Sequence, residues 1–294
     1  MQYLILGADG YIGSYLYKRL KEDGVDVLGT GHCSSKMDNL IYFDIINGDI
    51  EVPISAMSRG EKTAVVCVAE SNIDKCFTNY DVAYRINVIS TKVLIHKLRQ
   101  AGFRVIFFSS DNVFDGRCGN YTEESKLSAI NEYGKMKAEM EEYLLAKEQD
   151  VCILRLSRVM SAKREKKNIL AEWEKGIDCG LIQCIKDNVL SFVYIEDIYQ
   201  ICRIVVEKRL GGLYNITGDH SYRRSDVVKK FCNMLRADEV VVEECGIETF
   251  QFRDARRPLN VSMSNQKVIR DTEYRFKSVE YILNKYIQDN RLDQ

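Results

Sequence analysis

A tyrosine and a lysine four positions apart, Tyr133 and Lys137, are the residues of this sequence whose types and spacing best suit catalysis. On a helix, positions i and i+4 project from the same face. A nearby ammonium stabilises a phenolate, so it lowers the phenol pKa from about 10 toward the working range. Ser110 follows an apolar run, 105–108, and its hydroxyl can hold the oxygen that the phenol protonates. These three residues predict a site that reduces a carbonyl group with hydride from a nicotinamide.

The Tyr-x-x-x-Lys spacing alone is weak evidence, since it also occurs in helices where Tyr packs and Lys is solvated. A glycine loop near the N-terminus strengthens it. The apolar residues 3–6 lead directly into Gly-x-x-Gly-x-x-Gly, and a helical repeat of apolar residues starts within that loop. A strand, a glycine turn and a helix in this order are the context of a dinucleotide-binding fingerprint. The predicted cofactor-binding residues of this loop are Gly7, Asp9, Gly10, Tyr11, Ile12 and Gly13.

The residues after the second predicted strand favour NADP over NAD as the cofactor. Proteins that bind NAD usually place an acidic residue at the end of this strand, where it holds the ribose hydroxyls. Here Asp26 lies too early, and the strand is followed by the hydroxyls and cation of Ser34, Ser35 and Lys36, which suit a phosphate. His32 either contributes to the same site or is an ordinary solvated loop histidine.

Composition and charge exclude several classes of protein. The 294 residues carry a net charge of −1, which does not indicate a nucleic-acid-binding protein. No apolar run is long enough for a membrane span, and the chain enters a strand directly without a secretion signal, so we expect a cytoplasmic protein. The ten cysteines form no C-x-x-C pair and are accompanied by only three histidines. They predict reduced core thiols, as at Cys67, Cys152, Cys202 and Cys232, and no metal site.

The order of apolar and helical segments predicts an α/β fold, a Rossmann-type doubly wound parallel sheet with a smaller C-terminal α/β substrate-binding lobe. The predicted strands are residues 2–6, 25–29, 64–68, 103–108 and 151–156, and helices are expected near 12–22, 79–100, 131–148, 196–208, 222–236 and 277–289. We expect the dinucleotide-binding domain to comprise 1–156 and about 190–217. The substrate-binding lobe would then comprise about 157–189 and 218–294.

Four segments resemble the extended short-chain dehydrogenase/reductases, and within them the dTDP-4-dehydrorhamnose reductase group. They are the glycine loop, the stretch from Asn72 to Val88, the run Phe-Ser-Ser-Asp-Asn-Val-Phe-Asp-Gly at 108–116, and Asn-x-Tyr-Gly-x-x-Lys at 131–137. Two later segments, 192–198 and 256–260, are similar as well. The sequence departs from the group at Arg158, where a Trp is common, and it lacks the usual Pro before Asn131.

The resemblance implies roles for these residues in reducing a nucleotide-activated 4-keto-6-deoxy sugar. Tyr133 would protonate the substrate oxygen, Ser110 would orient that oxygen, and Lys137 would contact the nicotinamide ribose. It further implies cofactor contacts at Asp44, Ile45, Cys67, Val68, Ala69 and Asn87. Substrate contacts are expected at Asp111, Val113, Arg158, Arg256 and Arg257. Arginines at the last two positions can hold a diphosphate by bidentate hydrogen bonds, although any one of them alone suits a solvated basic loop equally.

Two other functions stay open at this point. Some proteins of this fold bind the dinucleotide only as a ligand and regulate another enzyme, and others are nucleotide-sugar epimerases or dehydratases. Asn112 follows Asp111 where such dehydratases tend to carry Glu, which disfavours elimination chemistry. Trp173 is interpreted either as a packing residue or as a lid over the substrate. Helices near 79–100 and 131–148 are the surfaces that would pair in a homodimer.

Overall fold

The computed structural model describes residues 1–32, 39–57, 60–254 and 256–291. Up to the sixth strand the elements are β1 Gln2–Leu6, α1 Tyr11–Glu22, β2 Asp26–Gly31, β3 Leu40–Tyr42, α2 Glu51–Ser55, β4 Lys62–Val66, α3 Ile73–Thr78, α4 Tyr80–Tyr84, α5 Thr91–Gln100, β5 Phe103–Ser110, α6 Glu132–Lys147 and β6 Val151–Leu156. They are followed by β7 Arg158–Met160, α7 Ile169–Asp178, β8 Leu181–Ile185, β9 Val189–Tyr194, α8 Ile195–Glu207, β10 Gly212–Ile216, β11 Ser221–Arg223, α9 Arg224–Met234, β12 Val241–Cys245, α10 Gln266–Thr272 and α11 Val279–Arg291.

The main sheet has seven strands in the order β10-β6-β5-β4-β1-β2-β3. Neighbouring strands from β3 to β5 pair in parallel. The strand order reverses between β1 and β4, and ligands of such sheets bind outside the carboxyl ends of the strands at that point. This architecture confirms the predicted doubly wound α/β fold. The predicted strands 2–6 and 151–156 have the observed bounds, whereas β5 continues two residues beyond its predicted end, to Ser110.

A π-helical turn, Arg85–Ser90, interrupts the segment predicted as one helix near 79–100 and separates α4 from α5. Thr91, the first residue of α5, donates a hydrogen bond from its hydroxyl back to the Ile86 carbonyl of this turn, 2.7 Å away. π-Helical turns are rare and occur often at functional sites. This one places Asn87, a predicted cofactor residue, in the buried interior, where it is 2% exposed.

The chain forms two compact units. The first consists of Met1–Ser110, Glu132–Leu154 and Cys202–Tyr214, and the second of Asp111–Asn131, Arg155–Ile201 and Asn215–Gln294. In the first unit a large apolar cluster packs helices α5 and α6 against the sheet, with Ile95, Leu98, Met140 and Leu144 among its members. The assignment of separate cofactor-binding and substrate-binding domains to the chain stays a prediction.

The second unit contains a three-stranded sheet in the order β11-β9-β7 and a parallel pair of β12 and β8. Trp173 lies in its core, 1% exposed, with its ring centroid 6.2 Å from that of Phe231. Phe231 in turn contacts Tyr286 at 5.9 Å. The interpretation of Trp173 as a packing residue therefore fits its position, and its burial leaves no room for a lid role.

Cysteines of the described residues carry free thiols. Most of them are buried, but Cys118 and Cys179 are exposed and Cys67 is partly exposed, so the prediction that the cysteines are core residues is wrong for the first two and holds only in part for Cys67. Cys118 and Cys179 each stand between a charged residue and a glycine in the sequence, which is a local signal of exposure. Within the described residues no group of three or more His, Cys, Asp or Glu side chains is arranged to hold a metal ion. No helix among them is long and apolar enough to cross a membrane.

Candidate active site

The glycine loop connects β1 to α1 and depends on the absence of side chains. Gly7 has a φ of +84°, in the left-handed region that L side chains rarely adopt. Its N–H donates to Thr30 Oγ1 at 3.3 Å, and the Ala8 N–H donates to the Thr30 carbonyl at 2.7 Å. A Cβ on Gly13 would lie 2.2 Å from the Gly7 carbonyl oxygen, so a side chain there would separate the helix from the loop.

The loop therefore fits a dinucleotide. Gly10 precedes the first residue of α1, and it has no side chain that could occupy the N–H groups of the first turn. Backbone N–H groups and the positive end of the helix dipole together favour a phosphate. A nicotinamide dinucleotide, when bound there, would supply hydride to a carbonyl carbon.

Asp9 and His32 are linked at the ends of β1 and β2. The Asp9 carboxylate accepts a hydrogen bond from the His32 backbone N–H at 2.9 Å, which fixes the residue that follows β2. The His32 ring lies beside Tyr42 of β3, with ring centroids 5.8 Å apart. Ser34, the predicted contact to a 2′-phosphate, lies outside the described residues together with Ser35 and Lys36.

Asp44 and Ile45 follow β3, and the side chains of both contact neighbouring residues of the first unit. The Asp44 carboxylate accepts hydrogen bonds from the Ile46 N–H at 2.9 Å and from the Asn47 side chain at 3.0 Å. The Ile46 N–H is the largest cause of the lowered pKa of Asp44. Ile45 packs against the apolar cluster of the first unit. Asp44 thus caps its own turn and holds the backbone after β3, whereas its predicted adenine contact stays a prediction.

The loop after β4 contains Cys67, Val68 and Ala69, which are partly exposed. It is held by Asn87, whose side-chain amide donates to the Glu70 carbonyl at 2.9 Å and accepts from the Glu70 N–H at 2.9 Å. Sequence reasoning named Asn87 but missed Glu70, since the pairing depends on a π-helical turn that no local pattern indicated. Although Cys67 as a residue is partly exposed, its thiol group is enclosed, and this burial raises the pKa of the thiol to about 12, so it stays protonated near neutral pH.

Tyr133 and Lys137 both lie on α6, where their i, i+4 spacing puts the two side chains on the same face of the helix. Lys137 is 4% exposed, and its Nζ lies 5.9 Å from the centre of the Tyr133 ring. Nζ donates a hydrogen bond to the Phe108 carbonyl of β5 at 2.8 Å and lies 4.6 Å from the Phe107 ring centre. Ser110, at the end of the same strand, is 8% exposed.

Burial lowers the pKa of the Lys137 ammonium to about 8, and the nearby Glu141 carboxylate opposes that shift. The ammonium is therefore largely protonated at neutral pH but close to its titration. A positive charge about 6 Å from a phenol favours the phenolate form. The Phe108 carbonyl, which orients the ammonium, was not predicted, because backbone acceptors leave no residue-type signal in a sequence.

Helix α6 is fastened to its neighbours by Glu139. Its carboxylate accepts from the Tyr84 hydroxyl at 3.0 Å and pairs with Lys92 at 2.6 Å. These contacts link α6 to α4 and α5, and they fix the helix that carries Tyr133 and Lys137. Neither partner was identified from the sequence, since both look like ordinary surface residues of predicted helices.

The predicted substrate residues belong to the second unit, in three separate segments. Asp111 and Val113 lie in a short 3-10 turn, Asp111–Val113, and both are buried. Arg158 opens β7 and is exposed. Arg256 and Arg257 lie in the segment before Pro258. Val113 is fully enclosed, and its carbonyl accepts a hydrogen bond from the Ser128 N–H at 2.9 Å.

The two arginines near Pro258 have different surroundings. Arg256 forms a two-pronged contact with Asp254, at 2.8 and 3.1 Å, and the Asp254 side chain is almost fully buried. The Arg257 guanidinium lies over the Phe252 ring, 4.4 Å from its centre, and Phe252 stacks on Phe250. Asp254 was missed, although an acidic residue within a run of arginines was visible in the sequence.

The family model described as RmlD substrate binding domain matches residues 1–292. The β subunit of methionine adenosyltransferase 2 from Xenopus laevis is 32% identical over 238 residues, which cover 76% of this chain and 69% of that protein. The probable low-salt glycan biosynthesis reductase Agl14 of Haloferax volcanii is 24% identical over 264 residues, covering 88% of each chain.

Among solved structures, the dTDP-4-dehydrorhamnose reductase of Bacillus anthracis str. Ames in complex with NADP superimposes with a TM-score of 0.85. It is 21% identical in sequence, and the match covers 98% of this chain and 99% of that chain. At this identity the similarity shows the fold, and the family model, which matches nearly the whole chain, shows the family. The chain therefore belongs to the RmlD substrate binding domain family of the extended short-chain dehydrogenase/reductases, and the prediction of an NAD(P)-dependent oxidoreductase is confirmed at the level of that family.

Proposed function

We propose that this protein is an NADPH-dependent reductase of a nucleotide-activated 4-keto-6-deoxy sugar, acting in carbohydrate biosynthesis in the cytoplasm. The observation that carries the proposal is the Tyr133–Lys137 pair on α6. The Lys137 ammonium is buried, held by the Phe108 carbonyl at 2.8 Å and placed 5.9 Å from the Tyr133 ring centre. A protein that only binds a dinucleotide has no physical need for a phenol and a buried ammonium in this arrangement.

In the proposed reaction Tyr133 gives its phenolic proton to the substrate carbonyl oxygen as hydride reaches the carbonyl carbon. Lys137 stabilises the phenolate that remains, because opposite charges at short range favour the charged form. Ser110 holds the same oxygen through its hydroxyl. General acid catalysis of this kind contributes about 10² to 10⁴ in rate.

The dinucleotide would be held by the glycine loop, with its phosphates at the start of α1. We assign further cofactor contacts to His32, Ser34, Asp44, Ile45, Asn87 and the loop 67–69. NADPH is favoured because the described end of β2, through His32, carries no carboxylate side chain after Asp26. The solved relative from Bacillus anthracis, with NADP bound, supports the same choice.

Substrate binding is assigned to the second unit, at Asp111, Val113, Arg158, Arg256 and Arg257. The stacked guanidinium of Arg257 is well suited to a diphosphate group, because stacking on Phe252 fixes the plane of its donors. We further propose that the chain forms a homodimer. Its surface on α4 and α5 exposes large apolar side chains, among them Val82 and Val93.

A regulatory role is the second candidate function. It is favoured by the 32% identity to the β subunit of methionine adenosyltransferase 2, whose name describes a subunit of another enzyme. In that case the dinucleotide would act as a ligand and the Tyr133–Lys137 pair would have no catalytic use. An epimerase or dehydratase activity is a weaker candidate, because Asn112 follows Asp111.

Turnover of a dTDP-4-keto-6-deoxy sugar separates these functions. With this substrate we expect the protein to oxidise NADPH, and to oxidise it faster than it oxidises NADH. A Tyr133→Phe variant should lose about 100-fold or more in kcat while binding NADPH as tightly as the original protein, since only the acidic proton is removed. Absence of turnover in the original protein, despite tight NADPH binding, would favour the regulatory role.

A further inference from the structure

Asn131 is a buried side chain that joins two segments of the second unit. It is completely inaccessible to solvent. Its side-chain amide donates one hydrogen bond to Asn112 Oδ1 at 3.1 Å and one to the Arg256 carbonyl at 3.2 Å. Both amide hydrogens are therefore used, each on a different segment.

The first of these segments is the turn that follows β5. Asn112, which accepts from Asn131, donates from its own amide to Asp111 Oδ1 at 3.0 Å. Asp111 is 6% exposed, so its carboxylate has few water molecules to bind. A chain of hydrogen bonds thus runs from the Asp111 carboxylate through Asn112 to Asn131.

The second segment is the arginine segment, defined here as residues 252–254 and 256–257. Its C-terminal neighbours are anchored by backbone contacts, since the Asn260 N–H donates to the Gly116 carbonyl at 2.9 Å and Pro258 packs on Gly116. The arginine segment itself is held through side chains. Asp254 binds the Arg256 guanidinium, and Asn131 binds the Arg256 carbonyl.

We infer that Asn131 is a positioning residue that sets the arginine segment against the turn 111–113, and that it thereby determines affinity for the diphosphate-bearing substrate. This inference rests on the proposed function. In the proposed reaction Asn131 contacts neither the substrate carbonyl nor the Tyr133 phenol. It acts by holding the Arg256 carbonyl, and with it the start of the Arg257 backbone, at a fixed distance from Asp111.

Replacement of Asn131 by Ala removes both donors, and replacement by Asp keeps the size of the side chain while removing the donors. In both variants we expect KM for a dTDP-4-keto-6-deoxy sugar to rise about tenfold, which corresponds to about 1.4 kcal/mol. We expect kcat to change less than about threefold and the Kd for NADPH to stay the same, because the Tyr133–Lys137 pair is unaltered.

Asn290→Ala is the matched control. Asn290 is also buried in the second unit, and its amide also donates two hydrogen bonds, to the Ala162 and Tyr286 carbonyls at 2.8 and 2.7 Å. Removal of the Asn290 amide should lower the free energy of unfolding about as much as removal of the Asn131 amide, but it disturbs no predicted substrate residue. We expect this variant to keep the original KM. Equal KM changes in Asn131→Ala and Asn290→Ala, or an original KM in Asn131→Asp, would overturn the inference.

A second measurement does not depend on activity. Trypsin cuts after arginine, and Arg253 and Arg256 both precede residues other than proline. We expect cleavage at these two sites in the folded chain to be faster in Asn131→Ala than in the original protein, and unchanged in Asn290→Ala. If the original protein shows no turnover, the proposed function fails and the assignment to substrate affinity falls with it. If cleavage is unchanged, the positioning role itself is wrong.

Discussion

Among the buried ionisable side chains, Lys137 of the first unit and Asp197 of the second make an instructive comparison. Lys137 of the first unit is 4% exposed, and burial lowers the pKa of its ammonium to about 8. Asp197 of the second unit is fully buried at the start of α8, and burial raises the pKa of its carboxyl to about 6. The cause is the same in both cases, because removal from water disfavours the charged form.

The two groups differ in what their hydrogen bonds do. Asp197 accepts from the Tyr274 hydroxyl at 2.7 Å and from the Lys277 N–H at 2.9 Å, so it fastens the segment between α10 and α11. Lys137 donates to a strand carbonyl and faces a partly exposed phenol. A shifted pKa therefore marks a buried charge, and only the neighbours of that charge distinguish a structural group from a chemical one.

The sharpest test of this difference is to neutralise the first group. In a Lys137→Met variant we expect kcat to fall about 100-fold or more, since the phenolate of Tyr133 loses its stabilising charge. The free energy of unfolding should also fall, because the Phe108 carbonyl loses its donor and the buried Glu141 carboxylate loses a nearby positive charge. Steady-state kinetics and thermal unfolding of the same preparation would check the expected kcat and the expected stability. An active Lys137→Met protein would contradict the chemical role.

The pH dependence of the original protein gives a smaller effect. The ammonium of Lys137 loses its proton as the pH rises through about 8, against an ordinary value of 10.5. We expect kcat/KM to decline above that pH by up to about tenfold per unit. The other titratable groups that influence the pKa of Lys137 are the Glu141 carboxylate and the Cys67 and Cys76 thiols. A flat profile up to about pH 10 would show that the charge of Lys137 is not required.

The smallest effect is expected from the second group. The folded protein binds a proton at Asp197 below about pH 6, whereas the unfolded chain does so only near 3.8. The free energy of unfolding should therefore fall as the pH rises from about 4 to 6, and Asp197 should contribute about 2 kcal/mol of that decline.

An Asp197→Asn variant isolates this contribution. Its amide oxygen still accepts from the Lys277 N–H, but the amide does not titrate. In urea unfolding at about pH 4 and pH 6, the fall in the free energy of unfolding should therefore be smaller by about 2 kcal/mol than in the unmodified protein. Turnover should stay within about twofold of the original. A large loss of turnover would mean that Asp197 is linked to the chemistry after all.

Much of the first unit was predictable because its signals are local. The order of β1, glycine loop and α1 is readable from consecutive residues, and the i, i+4 rule alone places Tyr133 and Lys137 on one face. Asp44 shows what a local pattern leaves out. The family resemblance implies an adenine contact there, which stays a prediction, and the structure adds that its carboxylate accepts hydrogen bonds from the Ile46 N–H and the Asn47 side chain.

The second unit was less predictable because its elements are short and its pairings are distant. β12 pairs with β8 across about sixty residues, from Val241 to Leu181, and neither strand has a clear alternating pattern. Asn131 is another example. Its neighbours in the sequence indicate only the start of a helix, and its two partners lie at Asn112 and Arg256.

By itself, the sequence determined the α/β class, from the alternation of strand and helix patterns along the chain. It also determined the glycine loop after β1 and the Tyr133–Lys137 pair, because each of these follows from backbone geometry over fewer than about twenty residues. Only the tertiary structure decided how deeply Lys137 is buried, which carbonyl orients it, and which carboxylates are structural. Burial and long-range hydrogen bonds depend on which segments pack together, and the free energy of an ionised group depends on that packing more than on the identity of the residue.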